Sequence, residues 1–217
     1  MYLAIEGAIG VGKTTLARLL QPGFGAGLLL EVFEENPFLT DFYADRERYA
    51  FQTQIFFLLS RYHQQRRTVP KILAGGANLI ADYTFEKDSL FAWINLRGDE
   101  LDMYHKVHDA LAEKIAPPDL VVYLQADTDV LMQRIAMRDR PYERSMEHSY
   151  IEQVNHAYEQ FFSDQSNVRS PVLTLDTNSI DYVRDEEDLR QVENRIRQRL
   201  KMPPFQTELP LGDQEDG

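Results

Sequence analysis

The sequence predicts an α/β fold built on a five-stranded parallel sheet flanked by helices. Three observations predict it. Short β-rich runs alternate with longer helical stretches along the chain. One run, Leu120-Val121-Val122-Tyr123-Leu124, is apolar almost throughout, the pattern of a strand covered on both faces. The chain has 217 residues, 43% hydrophobic and 27% charged, enough for one sizeable core and few for two.

Each element follows from its local pattern. Tyr2-Leu3-Ala4-Ile5 is a short apolar strand, followed by a glycine-rich turn and a helix through Thr14–Leu20. Leu28-Leu29-Leu30-Glu31-Val32 is the second strand, and residues of about 45–68 form a long helix. Asn78-Leu79-Ile80-Ala81-Asp82 is the third strand, with helical pieces over about 86–97 and 99–115. Pro117-Pro118 punctuates before the apolar fourth strand. Asp127 and Thr128 can each cap the next helix, and another covers about 146–162. Pro171-Val172-Leu173-Thr174-Leu175 is the fifth strand, before a charged helix over about 185–200. From Pro203 the chain holds prolines and acids without bases, which reads as a solvated, flexible acidic tail over 203–217. No internal repeat or low-complexity segment interrupts the pattern.

Composition removes several classes. Cysteine is absent, which excludes a disulfide scaffold, a thiol nucleophile and a Cys-ligated zinc site. No apolar run reaches the ~18 residues of a membrane span, and no basic segment precedes the first strand, so neither membrane anchoring nor a signal peptide is expected and a cytoplasmic location is. A net charge of −12 repels a phosphate backbone, so no nucleic-acid partner is expected. A small anion remains compatible if basic residues are concentrated in one place.

Two segments suit such an anion. Gly7-Ala8-Ile9-Gly10-Val11-Gly12-Lys13-Thr14, with Thr15 behind it, matches G-x-x-x-x-G-K-[ST] after a strand and before a helix. Its glycines let backbone N–H groups turn around phosphate oxygens, and the helix N-terminus adds partial positive charge. Lys13 reaches the outer phosphates, and the Thr14 hydroxyl suits Mg²⁺. This predicts binding of a nucleoside triphosphate without naming a reaction. The second segment carries Arg134, Arg138, Arg140 and Arg144. Arg134 and Arg138 lie one helical turn apart on one face. Forked guanidinium donors suit a transferring phosphoryl group, whereas the competing reading is a solvated basic face paired with Glu143 and Glu147.

Two carboxylates complete the picture. Asp82 at the end of the third strand has the form of an acid that holds Mg²⁺ directly or through water, the alternative being a loop-capping Asp. Glu31, near the end of the second strand, faces the same crevice if the sheet is parallel, which makes it a candidate base for a hydroxyl nucleophile.

Together these segments resemble the deoxyribonucleoside kinases, and most closely their bacterial deoxyadenosine/deoxyguanosine kinase branch. The matching stretches are Ile5 through Thr15, Glu31-Val32-Phe33-Glu34-Glu35-Asn36-Pro37-Phe38-Leu39, Phe42-Tyr43, Gln54 through Arg61, Asp82 through Ala92, and Arg134 through Glu143. The resemblance covers about residues 1–160. It implies a P-loop kinase domain over 1–202 with an arginine-bearing lid at about 134–148, which should be mobile because it must open for release. It implies ATP with Mg²⁺ on Thr14 and Asp82, and a deoxynucleoside acceptor. Glu31 takes the role of base on the 5′-hydroxyl, Lys13, Arg134, Arg138 and Arg140 stabilise the transferring charge, and Tyr43 and Glu143 hold the 3′-hydroxyl. Pinning O3′ in this way sets the 2′ position against Tyr43 and favours deoxyribose over ribose. Gln54 pairs with the base, with Gln52 as a rival, and Arg61 lies near the base on the same helical face as Gln54. Asp88 reads the base, directly or through Arg61. A carboxylate only accepts hydrogen bonds, which favours bases bearing amines: a purine is expected, deoxycytidine stays open, and the competing reading is a structural Arg61–Asp88 ion pair. The chain departs from the family at Asp82-Tyr83-Thr84, where an acid–Arg–Ser triplet is usual; Lys87 is the candidate substitute for that arginine.

The alternative reading is another small P-loop kinase, such as a nucleoside monophosphate kinase, whose anionic acceptor requires arginines in its pocket; a non-catalytic NTP-binding protein has no use for a base and a lid. A homodimer is also expected. Phe51, Ile55, Leu58, Leu59 and Tyr62 form one core stripe on the long helix, Phe56 and Phe57 add apolar surface outside it, and the resemblance implies a helical two-fold interface. Trp93 is expected in the core or an interface, and the five histidines show no metal-ligand spacing.

Overall fold

The computed structural model describes residues 1–144, 146–164 and 167–204, with Glu34 described by its backbone alone. Five strands, β1 (Tyr2–Gly7), β2 (Ala26–Leu29), β3 (Asn78–Ala81), β4 (Leu120–Gln125) and β5 (Val172–Asp176), form one sheet in the order β2-β3-β1-β4-β5. Every pairing is parallel. The α-helices among the described residues are α1 (Lys13–Phe24), α2 (Leu39–Ala44), α3 (Arg46–Ala74), α4 (Lys87–Asn95), α5 (Gly98–Ala112), α6 (Thr128–Arg138), α7 (His148–Ser163) and α8 (Glu186–Arg199). The direction of winding reverses at β1. Strand ends on the two sides of β1 therefore diverge and leave a crevice at their C-terminal edge.

The sheet interior follows from its sequence. β1 is buried at every position and β4 at all but its last, because helices cover both faces. α1 turns Leu16, Ala17, Leu20 and Phe24 into the core and ends where Gly25 takes a left-handed φ of 53°. α8 starts on Asp185, whose carboxylate accepts from the Glu187 and Asp188 N–H groups.

Several expectations need correction. β2 stops at Leu29, so Glu31 lies in the loop beyond the strand. Asp127 occupies the N-cap of α6 without capping through its side chain, because Oδ1 accepts from Asn178 Nδ2 at 3.2 Å instead. α3 runs to Ala74, past Pro70, and its stripe differs from the expected one: Leu59 is 40% exposed, while the Phe57 ring is turned toward the crevice under Arg61. Trp93 is 56% exposed and does not belong to the core. The acidic tail lies, from residue 205 on, outside the described residues. No helix among the described residues is long and apolar enough to cross a membrane.

Candidate active site

The glycine-rich loop leaves β1 and returns into α1. Gly7 has φ 146°, and a Cβ there would meet the Leu124 carbonyl oxygen at 2.5 Å. Gly12, at φ 105°, caps α1, and a Cβ there would meet the Tyr182 hydroxyl at 2.5 Å. Both positions require glycine, and the turn they permit aims the start of α1 into the crevice. Lys13 folds over this loop, its Nζ donating to the Gly7 and Ala8 carbonyls at 2.7 and 3.1 Å. Burial and the nearby Lys87 charge lower its pKa to about 8.

Behind the loop, Glu6 is fully buried. Its carboxylate accepts from the Thr84 N–H at 2.6 Å, the Thr84 hydroxyl at 3.1 Å and the Tyr158 hydroxyl at 3.1 Å, which ties β1 to the β3 exit and to α7. Burial raises its pKa, against the pull of Lys87 and Lys13.

Three strand exits converge here. Thr14 Oγ1 donates to Asp82 Oδ2 at 2.5 Å, and the Glu31 N–H donates to Asp82 Oδ1 at 2.8 Å. A hydroxyl beside a carboxylate is a hard-oxygen donor set that fits Mg²⁺. Among the described residues no cluster of three His, Cys, Asp or Glu side chains could hold a metal by itself.

Glu31 carries the strongest electrostatics of the site. Arg61 donates to Oε1 through Nε at 2.8 Å and through Nη2, and Lys87 Nζ donates to Oε2 at 2.7 Å. Burial alone would raise the carboxyl pKa; the Arg61 and Lys87 charges outweigh it and hold the group well below the usual carboxylate range. Arg61 also pairs with Asp88 through Nη1. Asp88 is fully buried and does not line the pocket; Arg61 stands between it and the open space.

The pocket itself joins the loop to a wider chamber. Lys13, Thr14, Glu31 and Asp82 line it together with Tyr43, Gln54, Arg61, Arg138, Arg140 and Glu143. Gln54 is 2% exposed, and its Oε1 has no hydrogen-bond partner, whereas Gln52 lies on the exposed face of α3. Tyr43 stacks on Tyr142, their planes 10° apart.

The arginines of the expected lid divide. Arg138 grips Glu143, Nε to Oε2 at 3.0 Å and Nη2 to Oε1 at 2.6 Å, and Arg140 approaches Glu143 at 3.6 Å. Arg140 also stands over the Phe33 ring. Arg134 is not part of this chamber. It donates to the Val11 carbonyl at 3.2 Å and to the Thr177 carbonyl at 2.8 Å, bracing the glycine-rich loop from the far side of α6. Arg144 pairs with Asp139 at the surface.

Sequence reasoning passed over Phe57, Phe91, Tyr142 and Tyr158 as lining residues. Tyr142 had a signal, since it sits inside the Arg134–Glu143 segment; α7 supplies Tyr158 with none.

The chain matches the family described as deoxynucleoside kinase over residues 3–201. It is 35% identical to a deoxyguanosine kinase of Bacillus subtilis over 201 residues, 92% of this chain and 97% of that protein. It is 30% identical to a deoxyadenosine/deoxycytidine kinase of the same organism, over 89% of this chain and 90% of that protein. A deoxyadenosine kinase of Dictyostelium discoideum is 34% identical over 88% of this chain and 77% of its own length. Among solved structures, a deoxyadenosine kinase from M. mycoides with dCMP and dCDP bound superposes with a TM-score of 0.79 at 24% identity, covering 92% of this chain and all of that one.

Proposed function

Since the chain belongs to the deoxynucleoside kinase family, we propose that it transfers the γ-phosphoryl group of ATP to the 5′-hydroxyl of a purine deoxynucleoside, deoxyguanosine or deoxyadenosine. One observation carries this reading. Glu31 and the unpaired Gln54 oxygen line the same pocket as Lys13 and Thr14, so a nucleoside can reach Gln54 with its base while its hydroxyl meets Glu31 beside the phosphate cradle.

Each residue then has a task. The loop from Gly7 to Thr15 binds the donor triphosphate, and Arg134 braces it. Thr14 and Asp82 would hold Mg²⁺, which would supply charge neutralisation to the phosphates. Glu31 accepts the 5′-hydroxyl proton as the oxygen attacks phosphorus in line. Lys13, Arg138 and Arg140 face the developing negative charge. Tyr43 and Glu143 take the 3′-hydroxyl, and Gln54 the base, with Arg61 oriented by Asp88. Residues 134–148 act as the lid. A monophosphate acceptor is disfavoured because Arg61 is already paired with Glu31 and Asp88.

The assembly is a homodimer in this reading. Leu59, Trp93 and Met103 are exposed apolar side chains on α3, α4 and α5, three helices that pack on one another, which supports pairing through that helical side. A monomer in sedimentation at micromolar concentration would overturn it.

The deciding experiment is a substrate panel. Purified protein with ATP and Mg²⁺ is given each deoxynucleoside, adenosine and dAMP, and products are separated by ion-exchange chromatography. Purine deoxynucleoside monophosphates are the expected main products. Thymidine as best acceptor, equal use of adenosine and deoxyadenosine, or preferential use of dAMP would each refute a part of the assignment.

A further inference from the structure

Lys87 is 6% exposed although it opens α4 at the edge of the pocket. A lysine is almost never covered to that degree unless it is paired. Its partner is Glu31, with Nζ donating to Oε2 at 2.7 Å. Arg61 uses the other oxygen, giving Oε1 two donors, Nε at 2.8 Å and Nη2. A carboxylate oxygen offers about two lone-pair directions. Arg61 fills those of Oε1 and Lys87 fills one on Oε2. The acceptor direction left open on Glu31 therefore lies on the oxygen that Lys87 holds.

We propose that Lys87 is a positioning residue for phosphoryl transfer, turning Glu31 so that the open side of Oε2 meets the acceptor hydroxyl. This rests on the reading of Glu31 as proton acceptor. The hydroxyl proton passes to Oε2, the hydroxyl oxygen forms the bond to the γ-phosphorus, the bond from that phosphorus to the bridging oxygen breaks, and ADP leaves. Tyr83 does not share the task. Its hydroxyl donates to Gln64 Oε1 at 2.6 Å, and Gln64 Nε2 donates to the Leu30 carbonyl at 2.8 Å, which steadies the backbone before Glu31 and leaves the carboxylate untouched. Without Lys87 the carboxylate can swivel about its Arg61 contact, and misplacement by about 1 Å costs on the order of 10²-fold in rate.

The test is a set of variants: Lys87→Met, Lys87→Gln, Lys87→Arg, Glu31→Gln, and the double Glu31→Gln/Lys87→Met. Each is measured for kcat, for KM of the deoxynucleoside and of ATP, and for its thermal midpoint. Lys87→Met is expected to lower kcat about 10- to 100-fold with both KM values within about threefold of wild type. Lys87→Arg should recover most of kcat, and Lys87→Gln, which keeps one donor for Oε2, should fall between. The double variant should be no slower than Glu31→Gln by more than about threefold, because both act through one carboxylate. A Lys87→Met enzyme with wild-type kcat overturns the proposal. So does a defect confined to KM for ATP, which would assign Lys87 to the donor phosphates, and so does a double variant whose losses multiply. If Lys87→Met folds poorly, Lys87→Gln and Lys87→Arg decide: equal, large kcat losses in both would count against positioning. A Glu31→Gln enzyme with wild-type turnover refutes the role of Glu31 itself, and that single variant reads it separately.

Discussion

Arg61 joins Glu31 to Asp88. Its Nε and Nη2 serve one carboxylate and its Nη1 the other, and all of this lies beneath the surface: Arg61 is 5% exposed and Asp88 fully buried. The guanidinium that clamps the proposed proton acceptor is thus the same one that a second, fully buried carboxylate orients. Removing either acid leaves the other to hold a buried cation alone.

Asp88→Asn is therefore expected to do two things. With one anchor lost, Arg61 gains freedom at the base edge, and the ranking of deoxynucleosides by kcat/KM should change by about tenfold or more. Urea unfolding should show a loss on the order of 1–3 kcal/mol, since Arg61 keeps Glu31. An unaltered ranking would leave Asp88 as a structural ion-pair partner only.

Lys13→Ala removes the cation proposed to meet the donor phosphates. Its hydrogen bonds are made to loop carbonyls at 2.7 and 3.1 Å and to no distant element, so the fold should survive. A kcat loss of about two decades or more is expected, with an unchanged far-ultraviolet circular dichroism spectrum.

Glu143→Ala frees Arg138 and Arg140 at once. Glu143 is 5% exposed, accepts hydrogen bonds from Arg138 and forms an ion pair with Arg140. Losing a charge-assisted contact to the sugar should raise KM for the deoxynucleoside by about 10- to 100-fold. Steady-state kinetics at saturating ATP measures it, and a KM within about twofold of wild type would remove Glu143 from the acceptor site.

Alkaline pH should unfold the protein earlier than ordinary tyrosines would. Burial raises the pKa of Tyr150 and of Tyr182 from 10.0 to about 12. A raised pKa means the native state keeps a proton that the unfolded chain has released. The stability these groups contribute is full below pH 10.0 and is lost as pH rises toward about 12. Each costs about 1.4 kcal/mol per pH unit in that window. Chemical denaturation midpoints at pH 9, 10 and 11 should fall steeply only above about 10. Tyr182→Phe should flatten the slope; it also removes the 3.3 Å hydrogen bond to the Val11 carbonyl, so its midpoint at pH 9 should be lower.

What the sequence determined by itself was whatever depends on neighbours along the chain. The loop from Gly7 to Thr14 needs glycines at fixed offsets between a strand and a helix, and such geometry is written locally. β1 and β4 were legible for the same reason, because a run buried on both faces must be apolar almost throughout. The family resemblance rested on those local segments, and the comparisons agree with it. The tertiary structure decided what depends on partners far apart in the chain. Glu31 left its strand, and its N–H met Asp82, fifty-one positions away. Arg134 and Arg138 share one helical face by spacing, yet Arg134 turned to Val11 and Thr177 while Arg138, with Arg140, turned to Glu143. Their fates were set by which carbonyl or carboxylate the packing of α6 brought near. Lys87 shows the limit most clearly. From sequence it was only a candidate substitute for a missing arginine, with no partner assigned. Only the convergence of β2, β3, α3 and α4 buries it, and a buried ammonium must then find a carboxylate.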